Sequence, residues 1–312
     1  MKTFLLHGSL FLATCASTCF VFRNSFDGGV IGSDADKWWG SVMFAFVVML
    51  ILTAHELGHF LMARAHGVDS SWPYFIPLPF GFGTLGAVIR LRGRIPTRDA
   101  LVDIGAAGPL CGLLIAIPML FVGASLSGVE RLPEDVGLTL PPAMSLLHLA
   151  SDFGLWVKSE FFGGVPLELP RYQIFGDNLL TLLATRVTHG ALPIGTDLIA
   201  HPVFLGAWFG LVVTMLNLLP VGQLDGGHLT HAWYGDRAEA LGRRIASGAL
   251  IAALLFSASW LVWFFLITRV VRVTHPPVER PEVPLSRTQK IIVVVTWVMT
   301  GLTFMPIPVS MA

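Results

Sequence analysis

Two histidines and a glutamate interrupt an apolar run. Residues 44–61 are hydrophobic except for Thr53, His55, Glu56, Gly58 and His59, and ionisable side chains in such a run are costly and mark function. At about 3.6 residues per turn, His55 and His59 differ by about 40° on a helix, so both imidazoles project from one face within reach of one metal ion. Glu56 follows the first histidine, where its carboxylate can take a proton from a water that the metal activates. The order His-Glu-x-x-His is the zinc hydrolase pattern. Five-residue matches arise by chance in soluble helices, but two histidines and a glutamate within an apolar span need a partner, and Zn2+ supplies it.

Catalytic zinc ordinarily takes three protein ligands and keeps one position open for water. The third ligand should come from another intramembrane position. Asn217-Leu218-Leu219-Pro220 leads to Leu224-Asp225-Gly226-Gly227, and Asp225 is the acid to choose. Pro220 and the glycine pair break regular helix around it, freeing the backbone to turn the carboxylate inward, which lipid tolerates only where that backbone is buried in protein or wet. The same residues also fit a helix end at the interface with an ordinary acidic cap.

The elements that must position these residues are membrane helices. Only 13% of the 312 residues are charged and 54% are hydrophobic, with a mean hydropathy of +0.71, against roughly a quarter charged in an ordinary soluble domain. The fold class expected is an all-α polytopic membrane protein, a single domain over 1–312. It has about six transmembrane helices, at 5–22, 38–63, 101–126, 203–219, 245–267 and 291–306, the last short and ending in prolines. The first run reads as a transmembrane helix, with a cleaved signal as the alternative. Cys15, Cys19 and Cys111 lie in apolar runs and read as packing residues. Zero net charge and no Lys/Arg cluster argue against a nucleic-acid partner.

Residues 72–98 are rich in Pro and Gly and then alternate, with Leu85, Ala87, Ile89 and Leu91 against Gly86, Val88, Arg90 and Arg92. This reads as a membrane-associated β-hairpin between the second and third spans. Gly81, Gly83 and Gly86 match the dinucleotide fingerprint, but prolines precede them and a strand follows, which excludes that reading. An intramembrane protease must hold its substrate unwound, and the edge Thr84 to Arg92 offers β-augmentation; a hairpin that only plugs the bundle fits as well. Gly105, Gly108 and Gly112 are spaced for close helix packing, and Asp103 reads as a cap or an interface residue. Residues 127–200 form the only sizeable polar region, an extramembrane loop with short apolar pieces at 144–149 and 179–184 that can lie on the membrane or pack as small helices. With the N-terminus inside, nine Lys/Arg fall in inner short loops and seven in outer ones, a lean toward N-inside.

His-Glu-Leu-Gly-His at 55–59, together with N-x-x-P-x-x-x-L-D-G from Asn217 to Gly226, resembles the site-2 protease family of intramembrane zinc metalloproteases. The likeness extends through 73–90 and through Asp103 to Gly112, and resembles most the branch that lacks an inserted PDZ domain and includes chloroplast and bacterial members. The resemblance implies that His55, His59 and Asp225 bind Zn2+, that Glu56 is the catalytic base, and that Asn217 positions substrate or stabilises the transition state. It implies a metalloendopeptidase that cleaves a transmembrane segment of a membrane-anchored substrate in the lipid bilayer, by regulated intramembrane proteolysis. It also implies a multi-pass protein of the bacterial inner membrane with its site toward the cytosolic side. His55 precedes Arg64 by nine residues, about 13 Å of helix at ~1.5 Å per residue, a depth that needs a water path. His66, His228 and His231 line such a path or simply snorkel to the interface. Two rivals remain. A different zinc membrane protease would recruit a downstream Glu, but Glu239, Glu279 and Glu282 lie in loops. A non-proteolytic scaffold or chaperone would be expected to lose one of the motif residues. The sequence assigns no oligomeric state.

Overall fold

The computed structural model describes residues 2–26, 33–131, 173–255, 259–265, 268–269, 274–276, 278–305 and 309–311. The apolar piece at 144–149 lies outside the described residues. Three helices are long and apolar enough to cross a membrane: α1 (Lys2–Ser25), α2 (Asp34–Ala65) and α3 (Arg98–Leu126). A shorter apolar helix, α5 (Pro202–Asn217), packs against both α2 and α3. Ser33 starts α2 with a capping box closed by Asp36, which satisfies backbone N–H groups left open at a helix start.

Small residues set how closely these helices approach. A side chain at Gly123 of α3 would run into the Phe204 backbone, and one at Gly210 of α5 would meet Ile51 of α2 at 2.6 Å. One at Gly58 of α2 would meet the Ala107 carbonyl at 2.5 Å. The resulting core contains Phe22, Phe44, Leu120, Leu211 and Trp208, all essentially inaccessible. Phe22 and Phe44 stack at 3.9 Å, and the buried Trp208 indole donates to the Gly176 carbonyl at 2.7 Å, so the largest core side chain also satisfies its one polar atom.

The residues between α2 and α3 form two antiparallel strand pairs. One is β1 (Asp69–Ser70) with β4 (Leu91–Arg92), and the other is β2 (Tyr74–Pro77) with β3 (Thr84–Val88). The alternation seen in the sequence therefore does not run through as one strand: it breaks at Ile89 and Arg90, and Leu85 and Val88 are exposed while Thr84 and Gly86 are buried. The Thr84 hydroxyl donates to the Ile76 carbonyl and accepts from the Gly86 N–H, which turns Thr84 inward. Helix α1 holds this region through His7 on the Pro73 carbonyl (2.9 Å) and the Ser17 hydroxyl on the Gly83 carbonyl (2.7 Å).

Within 127–200, the apolar piece at 179–184 packs as a small helix, one of the two expected outcomes: α4 (Leu179–His189) buries Leu180 and Ala184 in the main core, after the strand β6 (Gln173–Phe175). Asn178 caps α4 and donates to the Thr303 carbonyl, a polar joint that hydropathy does not reveal. Elsewhere in this region β5 (Gly128–Arg131) pairs with β7 (Thr196–Ile199), so the fold is mostly helical with small strand pairs rather than all-α.

Six continuous spans are not confirmed. Among the described residues of 245–267, 245–255 belong to α7 (Arg237–Leu255) and 259–265 to α8 (Ser259–Phe265), which packs against α7 so that Trp260 joins Ala249 and Ala253. The chain thus returns to the end it left. Glu279 N–H donates to Ile95 O (3.0 Å), Arg280 N–H to Pro96 O (3.2 Å) and Ser286 N–H to the Asp99 carboxylate (3.0 Å). Residues assigned to opposite sides are hydrogen-bonded neighbours. The final helix, α9 (Arg287–Thr303), starts at this same end, with Gln289 donating to Asp103, and β8 (Val309–Met311) then pairs with β6.

The close approach of α3 and α5 gives a direct test. Gly123→Val should cost about 1–3 kcal/mol through overpacking, read as a lower melting temperature in detergent. Gly248→Ala on α7, with open space around it, should leave the melting temperature unchanged or raise it slightly.

Candidate metal centre

His55 and His59 sit on adjacent turns of α2, 3% and 7% exposed, with ring centroids 4.9 Å apart. Asp225 reaches them from a different element. Helix α5 stops at Asn217, the chain turns through Pro220 and Gly222 (φ 51°), and Asp225 is the first residue of α6 (Asp225–Tyr234). The turn is tight because side chains at Gly226 and Gly227 would overlap the carbonyls of Leu218 and Val221. Breaking the helix here aims the Asp225 carboxylate at both imidazoles: His55 Nε2 lies 3.2 Å from one oxygen and His59 Nε2 3.2 Å from the other.

The hydrogen bond behind His59 decides what this cluster can hold. Its Nδ1 lies 2.7 Å from the Ile104 carbonyl, and a carbonyl only accepts, so Nδ1 carries the proton. In the neutral ring, Nε2 is then a lone pair facing a carboxylate oxygen. A cation between those two acceptors satisfies both, whereas a protonated ring donates its Nε2–H to the carboxylate directly. The donor atoms of His55, His59 and Asp225 all lie within 4.8 Å of one another. Ligands at ~2.0–2.1 Å from a tetrahedral ion are about 3.3 Å apart, which the two His–Asp separations of 3.2 Å match. A carbonyl behind a ligating histidine is the usual partner that fixes its tautomer.

Helix α3 makes room for these rings. A side chain at Gly108 would overlap the His59 imidazole, and one at Gly112 would meet His55 Nδ1 at 3.3 Å. Glu56, 4% exposed, faces the Ile89 backbone N–H just beyond β3. The Asn217 amide nitrogen is 3.5 Å from His55 Nε2. All five sequence-predicted residues line one cavity of about 190 Å³, together with Val88 and Ile89. The arrangement can hold one cation, place a carboxylate beside it, and present an amide to a bound carbonyl.

Of the three histidines proposed to line a water path, His228 lines this cavity. His66 is instead hydrogen-bonded to Asp103 (2.9 Å), and His231 stacks on His275 at 4.2 Å. His275 itself escaped the sequence reading. Its Nδ1 donates to the Pro276 carbonyl, so its Nε2 accepts from His228 Nδ1 at 2.6 Å. Nothing in the sequence pairs residues 47 apart in this way. The role of Gly108 had a signal in the 105/108/112 spacing, but not its target.

The model of Peptidase family M50 matches residues 43–259. The chain belongs to this family, the site-2 proteases. Among M50 relatives, it is 31% identical over 224 residues to the probable zinc metalloprotease EGY2, chloroplastic, of Oryza sativa subsp. indica, covering 72% of this chain and 35% of that protein. It is 29% identical over 273 residues to the probable zinc metalloprotease EGY1, chloroplastic, of Arabidopsis thaliana, covering 84% of this chain and 42% of that protein. The chain thus spans well under half the length of these curated relatives. No solved structure matches it.

The contact between Gly108 and His59 predicts that Gly108→Ala lowers affinity for a divalent metal by about 10–100-fold, as loss of ligand orientation does. Competition against a chromophoric chelator measures this. Gly112→Ala, with its looser 3.3 Å contact, should lose less.

Proposed function

We propose that this M50 member is a zinc-dependent intramembrane endopeptidase that cleaves a transmembrane segment of a membrane-anchored protein, by regulated intramembrane proteolysis. The observation that carries the reading is the convergence of His55, His59 and Asp225 on one point, with Glu56 and Asn217 on the wall of the same cavity. His55 Nε2, His59 Nε2 and the Asp225 carboxylate would hold the ion. Zinc, when bound, supplies polarisation of the scissile carbonyl and acidification of a water.

The protein's own residues do the rest. The Glu56 carboxylate takes the proton of the attacking water and later gives it to the leaving nitrogen. The Asn217 amide N–H donates toward the oxygen of the attacked carbonyl, where negative charge develops. The Ile104 carbonyl holds the His59 ring in its ligating tautomer. A helical substrate must open its backbone to be cut, and the edge Thr84 to Arg92, whose Ala87, Val88, Ile89 and Leu91 line the cavity, takes the opened segment as an added strand. No downstream glutamate competes for the ion: Glu239, Glu279 and Glu282 do not line the cavity.

The reading includes a multi-pass protein in lipid. The hydrogen bonds of residues 279–286 to 95–99 move Arg280, Arg287 and Lys290 to the end that carries Arg64 to Arg98. With Arg269 and Arg272 left unassigned and the long segment 127–200 left out, as the rule requires, that end holds nine plus three, or twelve, Lys/Arg against Arg23 and Lys37 at the other. By the positive-inside rule this asymmetry supports a site's end on the side from which the chain was inserted. The relatives are named chloroplastic, which lends no support to a bacterial inner membrane, so the membrane itself stays unassigned.

Glu56→Gln should retain about one zinc per chain and abolish cleavage of a co-expressed transmembrane reporter. Retained cleavage would end this mechanism. Asp225→Asn should lower zinc affinity by at least tenfold; an unchanged affinity in chelator competition would remove Asp225 from the ion's ligands.

A further inference from the structure

A second cavity of about 470 Å³ adjoins the catalytic one. The two share Ile89, Leu91, Gln223 and His228 on their walls, so a chain lying in the first continues into the second. The walls of this antechamber are apolar at Ile95, Leu101 and Val278, and its charges are Arg90 and Arg94. Among the described residues, no aspartate or glutamate lines it.

The two arginines differ from their neighbours. Arg64 and Arg92 share Asp69 at 3.8 and 3.4 Å, whereas among the described residues no carboxylate is paired with Arg90 or Arg94. Both are exposed and line the cavity. Unpaired cations on a cleft with apolar walls focus a positive potential into it. Arg90 is also fixed in place, because its backbone N–H donates to the Ser71 hydroxyl (2.9 Å) and its carbonyl accepts from Ser71 N–H (2.9 Å).

We propose that this antechamber receives the stretch of substrate next to the scissile bond and selects aspartate or glutamate there. The inference rests on the protease reading above and names the chemistry of its substrate. An extended chain advances ~3.3 Å per residue, and Arg90 and Arg94 follow Ile89 by one and five residues, so the acidic positions fall within about five residues of the cleaved bond. Acidic residues are sparse beside most transmembrane segments on a Lys/Arg-rich side, so the arginines would discriminate among membrane proteins that otherwise present similar apolar helices.

The test uses the full chain with zinc in detergent micelles and three reporters identical except for the residues within about five positions of the cut: Asp/Glu, Ala or Lys. Wild type should cleave the acidic reporter with kcat/KM about tenfold above the alanine one and the lysine one least. Arg90→Glu/Arg94→Glu should invert the order, and Arg90→Gln/Arg94→Gln should flatten it; ratios between reporters, not absolute rates, carry the result, so partial misfolding does not imitate it. Equal cleavage of all three by wild type overturns the proposal while leaving the protease reading intact. An order that persists in both variants also overturns it. So does a flat order with cleavage of every reporter rising on added phosphatidylglycerol only when the arginines are present, which assigns them to a lipid headgroup. Cleavage of no reporter by wild type overturns the protease reading and this inference with it.

Discussion

The site depends on one hydrogen bond, from His59 Nδ1 to the Ile104 carbonyl. It joins α2 to α3 and fixes which ring nitrogen carries the proton. With Nδ1 so occupied, His59 Nε2 faces the Asp225 carboxylate, as a lone pair across a cation or as a donor in the protonated ring. The bond requires α3 to pass close to the ring, and Gly108 is what permits the passage. Ligand orientation and helix packing are therefore one constraint, since loosening the α2–α3 contact would also release the imidazole.

The rest of the bundle follows from bringing three elements to that point. Glycines at 58, 108, 112, 206 and 210 let α2 lie tightly between α3 and α5, which gives close packing without a hydrophobic driving force in lipid. Helix α5 must then end where it does, because Asp225 can reach the histidines only if the chain turns back through Pro220 and Gly222. The turn leaves non-helical backbone at the depth of the site, which is tolerated because protein and a polar cavity surround it. The strands between α2 and α3 close the remaining side and bring the Ile89 N–H to Glu56.

The basic end of the molecule has a similar logic. The fold-back of α8 onto α7 returns the chain to the end where α2 finishes and α3 begins, and Asp103 there accepts from both His66 and Gln289. Asp103 is thus a three-helix joint rather than a simple cap. The same fold-back brings His275 to His228 and completes the antechamber wall. A segment remote in the sequence thereby shapes the approach to the metal centre.

The sequence by itself carried the residues on which the proposed chemistry rests. Two histidines four apart with a glutamate between them, in a run that excludes water, admit few readings, and the Asn217 to Gly226 motif supplied the remaining acid. It determined the long helices too, because α1, α2 and α3 are continuous apolar runs whose length alone requires them. The tertiary structure decided what depends on distance between remote residues: the α7–α8 fold-back, the burial of α4 through the Asn178 joint, the His228–His275 pair and the clearance at Gly108. Hydropathy sums over neighbours in sequence, so it shows which residues leave water. It does not show which of them meet, and tautomers, ligand distances and cavity walls are set by those meetings.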